Sequence, residues 1–300
     1  MPLRGRLLAL ASRAAALANE RRVVVAGRVL LLAGLLFLAV RLRSIWHDSR
    51  VDLGGVGWAA LVGAFLASAA GVAASRVAWL AILRGLGVRT RLRWAGVMFQ
   101  AQLAKYIPGT VWQYAGRAAL ARGRGIPMRP VGVSLPVELG VSLAVAGALS
   151  ALLLGGWGIG VALAVVAAAA LAARWEGLPR PLRAGAATVP LFALVWIAIG
   201  AGFWLTARAL LGVPFDEALV YAGAFCAAWV VGVAAVFAPG GIGVREAMLV
   251  AILHGRLGSA DALVLAAVSR GILTLVDLLA AGVGVLLISG GPVEEQVSRG

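Results

Sequence analysis

The sequence is poor in the residues on which most catalytic and metal chemistry depends. Among 300 residues there are 1 cysteine, 2 histidines, 12 acidic residues and a single lysine. The lone Cys226 excludes a disulfide framework and a thiolate metal cluster, and within an apolar stretch it reads as a small core residue. His47 and His254 are far apart and lack metal-ligand spacing, and no nucleophile, base and orienting residue stand together as a triad. The only lysine, Lys105, is followed by Tyr106, which rules out a Walker A phosphate loop. No stretch is left over for a separate soluble catalytic domain, so the chain is not expected to be an enzyme or to carry a cofactor.

What the chain does contain is apolar length. Hydrophobic residues make up 62% and charged residues 13%, with a mean hydropathy of +0.98, which describes an integral membrane protein. The net charge of +15 comes from arginines in short loops between apolar runs. Topology and anionic lipid headgroups account for that pattern, so membrane lipids are the expected partners and nucleic acid is rejected. Arg4, Arg6, Arg13, Arg21 and Arg22 extend over the first 22 residues, which reads as a basic cytoplasmic segment lying on the inner membrane face rather than a signal peptide.

Full spans are expected at 23–43, 57–83, 131–154, 156–173, 186–207 and 263–288, each close to the length that crosses about 30 Å of hydrocarbon. The stretches 94–107 and 110–121 are too short, at about 21 Å and about 18 Å of helix. Together they read as a re-entrant hairpin with Pro108-Gly109 at its tip, because proline removes an amide donor and glycine permits positive φ. A second break, Pro239-Gly240-Gly241, divides 217–254 in the same manner. The fit is looser there: 217–238 makes about 33 Å of helix and could cross completely.

Loop charge places both flanks of the first hairpin on one side. Arg84, Arg89, Arg91 and Arg93 precede it, and Arg117, Arg122, Arg124 and Arg129 follow it. Arg174, Arg180 and Arg183 mark a third basic loop, whereas 208–216 and 255–262 hold only Arg208 and Arg256. Arg84-Gly85-Leu86-Gly87-Val88 before the first break and Leu210-Leu211-Gly212-Val213 before the second suggest a weak repeat. The expected fold is an all-α polytopic membrane protein with about six full transmembrane helices and two Pro-Gly re-entrant hairpins in an inverted repeat. One domain covers 23–288, followed by a tail at 289–300, with the N-terminus on the cytoplasmic side of the cell membrane.

Ionisable residues within the spans are functional candidates by default. They are Arg28, Arg76, Lys105, Glu138, Arg245, Glu246, Arg270 and Asp277. Lys105 and Gln113 flank the first break and Arg245 follows the second, where the first amides of a short helix and its dipole favour an anion. Lys105, Gln113, Arg245 and Arg270 are therefore the expected headgroup ligands. A bland alternative is that Lys105 snorkels and that each Pro-Gly only turns a loop. Glu138, Glu246 and Asp277 are candidates for charge balance or proton coupling; Glu138 could equally pair with an inner-loop arginine, and Arg270 and Asp277, seven apart on one face, with each other. Arg28 and Arg76 read as snorkelling near helix ends. Stripes Gly63-Ala67-Gly71 and Gly156-Gly160 read as close helix packing, and Trp46, Trp58, Trp94, Trp157 and Trp175 as interfacial anchors.

Lys105-Tyr106-Ile107-Pro108-Gly109 with Trp112, and most distinctly Pro239-Gly240-Gly241-Ile242-Gly243-Val244-Arg245-Glu246-Ala247, resemble the flippase-like membrane region of lysylphosphatidylglycerol synthases. Ser269-Arg270 and Asp277 are similar too, and the resemblance covers roughly residues 20–290; Thr110 departs from it where a second glycine is often seen. The resemblance implies a polytopic helical protein that translocates lipids, aminoacylated phosphatidylglycerol or polyprenyl-linked sugars among them. It does not carry synthase activity over, because that belongs to a soluble domain not found in this sequence. The expected function is translocation of an anionic lipid. A membrane-embedded transferase acting on a polyprenyl phosphate, with Glu246 or Asp277 as base, and a non-catalytic partner of a lipid-modifying enzyme or glycosyltransferase are the alternatives.

Overall fold

The computed structural model describes residues 49–51, 53–106, 112–155, 158–235, 241 and 243–289. Regular structure among the described residues is all helical. In chain order the α-helices are α1 (Trp58–Gly85), α2 (Ala95–Gln102), α3 (Trp112–Arg122), α4 (Met128–Leu154), α5 (Gly158–Arg174), α6 (Arg180–Ala186), α7 (Val189–Leu211), α8 (Ala218–Ala234), α9 (Val244–Leu253) and α10 (Ser259–Ser289). Short 3-10 turns precede α2 (Leu92–Trp94) and α8 (Phe215–Glu217), and another, Leu103–Tyr106, extends α2.

Among the described residues, five helices are long and apolar enough to cross a membrane: Trp58–Gly85, Met128–Leu154, Val189–Leu211, Phe215–Ala234 and Ser259–Ile288. The chain is thus a multi-pass helical membrane protein. Four of these match the expected spans at 57–83, 131–154, 186–207 and 263–288, and the expected span at 23–43 lies outside the described residues, as do segment 1–22 and, apart from Ser289, the tail at 289–300. Two stretches differ. The span expected at 156–173 is the 17-residue α5, about 26 Å of helix, short of a full crossing without thinning. Conversely, Phe215–Ala234, expected as one limb of a hairpin, has the length to cross, because the 3-10 turn at Phe215–Glu217 adds to α8.

The packing of these helices has an internal order. α1 and α7 lie against each other in opposite directions: the Gly57 amide donates to the Ala209 carbonyl at 2.9 Å, Gly63 faces Leu205, and Gly71 faces Val195 and Ile199. Small residues permit this approach, since a Cβ at Gly71 would come within 2.6 Å of Ile199 and one at Gly202 within 2.5 Å of Ser68 and 3.0 Å of the Ala64 carbonyl. In lipid, where apolar burial gives little drive between helices, such contact is the principal attraction. Gly160, by contrast, meets nothing within 4 Å, so the Gly156-Gly160 stripe finds no packing partner at its described member.

Exchanging α1 with α7, α2 with α8, α3 with α9 and α4 with α10 maps the helix contacts onto themselves. Thus α2 packs on α10 as α8 packs on α4, α2 on α3 as α8 on α9, α3 on α4 as α9 on α10, and α1 on α10 as α7 on α4. Each half also begins alike. A long helix ends at a glycine with positive φ (Gly87, +91°; Gly212, +68°), a valine and a 3-10 turn follow, and then comes a helix that leads into a Pro-Gly segment. Left-handed backbone at both positions is why glycine stands at each. The helices α5 and α6 join the halves, and α6 packs on α1 and α4.

The two ends of the bundle differ in charge. Arg180 donates to the Gly85 carbonyl at 3.0 Å, Gly85 abuts Ala184, Gly185 abuts Val137 and Val141, and Gly96 abuts Gly284 and Ile288. These contacts gather the loops 84–94, 122–129 and 174–183 at one end, with arginines at 84, 89, 91, 93, 122, 124, 129, 174, 180 and 183. At the other end lie 49–57, 208–217 and 254–261, where Arg50, Arg208 and Arg256 are balanced by Asp216, Glu217 and Asp261. The α2–α3 segment starts and finishes at the arginine-rich end, and α8–α9 starts and finishes at the balanced end. Trp58 and Trp175 are 69% and 66% exposed at opposite ends, as interfacial anchors would be.

Candidate functional site

Two groups of charged side chains lie inside the bundle, both touching α10. The first joins α1, α3, α4 and α10. Arg76 of α1 is 4% exposed and Arg117 of α3 is 3% exposed. Arg117 donates through Nη1 to Glu138 Oε2, and its guanidinium stacks over the Trp79 ring with 5.4 Å to the centroid. Trp79 is fixed in turn, donating Nε1–H to Ser134 Oγ at 3.0 Å, while that hydroxyl donates to the Val131 carbonyl. Arg76 donates through Nη1 to Ser75 Oγ at 2.6 Å and lies over Phe99 at 5.2 Å. Asp277 of α10, 2% exposed, and the Arg117–Glu138 pair act on Arg76 electrostatically.

Arg76 and Arg117 depart from the sequence reading. Arg76 turns inward rather than along the surface toward a helix end: it is buried, bonded to Ser75 and over Phe99, nine residues before the end of α1. Arg117 does not belong to the exposed loop that follows the first hairpin; α3 reaches Arg122 and turns Arg117 inward onto Glu138. Glu138 thus pairs with an arginine, as one alternative had it, but with Arg117 on α3 rather than with an arginine of the loop. The nearest sequence signal was that Arg117 stands mid-way between the break and the loop arginines.

The second group joins α8, α9 and α10. Arg270 Nη1 and Glu246 Oε1 are 3.1 Å apart, and Glu246 Oε2 accepts the Gly243 amide at 2.6 Å, closing the first turn of α9. Arg245, the neighbour of Glu246, points elsewhere. Its side chain runs through a slot left by two glycines: a Cβ at Gly232 would lie 2.5 Å from Arg245 Cγ and 2.9 Å from Nε, and one at Gly241 (φ +70°) 3.1 Å from Nε. Arg270 and Glu246 both act on Arg245 electrostatically. Along α10, Arg270 and Asp277 stand two turns apart, about 10 Å, on the same face. They do not neutralise each other through a direct pair; Arg270 serves the second group and Asp277 the first.

Four buried guanidinium nitrogens, Nε of Arg76, Arg117, Arg183 and Arg245, have no acceptor among the described residues; Arg183 lies at the arginine-rich end on α6, and the other three belong to the two charge groups. A buried N–H without a partner is costly, and in hydrocarbon there is no bulk water to relieve it. Of the expected headgroup ligands, Arg245 and Arg270 come together. Pro108, Gly109, Pro239 and Gly240 lie outside the described residues. Lys105 and Gln113 are placed only by backbone, in a 3-10 turn that packs on α10 and α3 and in the first turn of α3. Among the described residues no His, Cys, Asp and Glu group is arranged to hold a metal.

At the balanced end a surface cavity of about 420 Å³ is lined by Arg50, Glu217, Tyr221, Arg256 and Asp261, with Leu210–Pro214 on one wall. Both carboxylates lie 3.8 Å from a guanidinium, Asp261 from Arg50 and Glu217 from Arg256, and Asp261 Oδ1 also accepts the Arg50 backbone amide at 2.7 Å. Cys226 is buried in α8, as its apolar context implied. No protein family, no curated protein and no solved structure matches this chain.

Proposed function

We propose that this protein translocates a lipid with an anionic headgroup across the cytoplasmic membrane: an anionic or aminoacylated phospholipid, or a polyprenyl-phosphate-linked lipid. The observation that carries the reading is Arg245, a cation threaded between two glycines beside a helix break, with its Nε–H lacking an acceptor. A phosphate oxygen would supply that acceptor as a charge-assisted hydrogen bond. Arg270, held by Glu246, would share the headgroup's charge, and Lys105 and Gln113 would approach from the other break. The acyl or prenyl tail would stay in the bilayer.

The opposed halves support a transporter reading. The α2–α3 segment would dip into the membrane from the arginine-rich side and α8–α9 from the other, with their breaks approaching mid-membrane, as inverted halves do in alternating-access carriers. The arginine-rich end would be cytoplasmic, together with the N-terminus. The resemblance of the Lys105–Gly109 and Pro239–Ala247 segments to the flippase-like region of lysylphosphatidylglycerol synthases points the same way.

The test is reconstitution. Full-length protein in proteoliposomes, with tail-labelled phosphatidylglycerol and a membrane-impermeant quencher, should expose inner-leaflet lipid faster than protein-free vesicles. Arg245→Gln, which keeps the slot filled, should slow this about tenfold or more, the loss of one charge-assisted hydrogen bond. Undiminished transport by a folded Arg245→Gln protein would remove the site, and no transport of any anionic lipid by the wild type would remove the function.

A further inference from the structure

The first charge group is not needed to explain the Arg245–Arg270 site, yet it has the features of a ligand site. Its two arginines are the most buried cations described, at 4% and 3% exposure, and they come from separate helices, α1 and α3. Both are bound in the same manner: Nη1 is engaged, by Ser75 in one and by Glu138 in the other, while Nε is left without an acceptor. The Nε edge of a guanidinium presents two parallel N–H groups whose spacing matches two oxygens of a phosphate. Glu138 occupies only the other edge of Arg117, and Trp79 and Phe99 cover the guanidinium faces. What lacks an acceptor on each arginine is the Nε–H of the edge that chelates phosphate. Glu138 pairs with Arg117, and both Glu138 and Asp277 favour the charged form of Arg76 electrostatically, which offsets part of the cost of burying two cations.

We propose that Arg76 and Arg117 form a second phosphate-binding station, separate from Arg245 and Arg270 and displaced from them by about two turns of α10 toward the arginine-rich end. This deepens the translocase reading and rests on it: a phosphate ester moving between the two ends would meet Arg76 and Arg117 at one step and Arg245 and Arg270 at another. α10 links the stations, carrying Arg270 at one and Asp277 at the other. Glu138 is a positioning residue, holding Arg117 through Nη1, and Asp277 acts on Arg76 electrostatically.

Trp79 is a built-in reporter, because its ring lies against the Arg117 guanidinium. The full chain in neutral detergent is titrated with dihexanoylphosphatidylglycerol, and separately with inorganic phosphate. The signal is the emission of the wild type minus that of Trp79→Phe, and phosphorus NMR line broadening gives a second measure of binding. We expect a saturable change with the short-chain lipid. Arg76→Lys and Arg117→Lys keep the charge and the balance with Glu138 but lose the Nε edge, and each should weaken half-saturation about tenfold.

Arg245→Gln separates this proposal from the function. It should leave the Trp79 midpoint unchanged while transport falls; loss of the Trp79 response in that variant would mean one site, not two, and overturn the proposal. A response to inorganic phosphate alone supports the station and removes the lipid as its occupant. No saturable response to either probe, or one unaltered in both lysine variants that retain wild-type helicity, would overturn it.

Discussion

Each half of the molecule places one ion pair between the short helix after its break and the long helix that follows, but with the charges exchanged. In the first half the short helix carries the cation, Arg117, and the long helix the carboxylate, Glu138; in the second the short helix carries Glu246 and the long helix Arg270. The environments differ as well. The Arg117 and Glu138 side chains are 4% and 16% exposed, against 29% and 20% for Arg270 and Glu246. The two carboxylates are similarly exposed and the difference lies in the cations: removing the buried Arg117 strands its partner's charge in the interior, whereas the more open Arg270 can be removed at modest cost.

That contrast can be broken directly. Arg117→Ala should give the largest loss of stability, about 3–5 kcal/mol, since it leaves Glu138 uncompensated. Arg270→Ala should cost about 1 kcal/mol or less. Thermal unfolding of both proteins in one detergent measures the difference; equal losses would mean that the two pairs do not differ in kind. A smaller effect should come from the slot around Arg245. Gly232→Ala drives a methyl against Arg245 Cγ and should cost about 1–3 kcal/mol by overpacking, with transport falling further than stability explains. Gly160→Ala, which meets nothing within 4 Å, should leave both unchanged and serves as the control.

The long helices were legible because hydrophobic length is a local property: α1, α4, α7 and α10 follow from runs at 57–83, 131–154, 186–207 and 263–288. The repeated start of each half was legible too, since Gly87 and Gly212 occupy backbone that excludes other residues. What composition could not give was depth and direction. Arg76 and Arg117 look like boundary arginines when counted along the chain, and only the packing of α1 and α3, which buries both side chains, puts them inside. The 217–238 stretch was ambiguous for a related reason: length shows that a helix can cross, and where it ends depends on the Pro-Gly segment that follows. The slot for Arg245 involves Gly232, thirteen residues earlier on another helix, a tertiary relation with no periodic signature.

The proposed function requires two inverted halves in which each Pro-Gly-containing segment returns to the face it left. The chain's single cysteine makes this measurable. In a Cys226→Ala background, one cysteine at a time replaces Arg89, Arg124, Asp216 or Gly255, all exposed, and intact vesicles are labelled with an impermeant maleimide. Positions 89 and 124 should label from one face and positions 216 and 255 from the other. Labelling of 89 and 124 from opposite faces, or of 216 and 255 from opposite faces, would contradict the account.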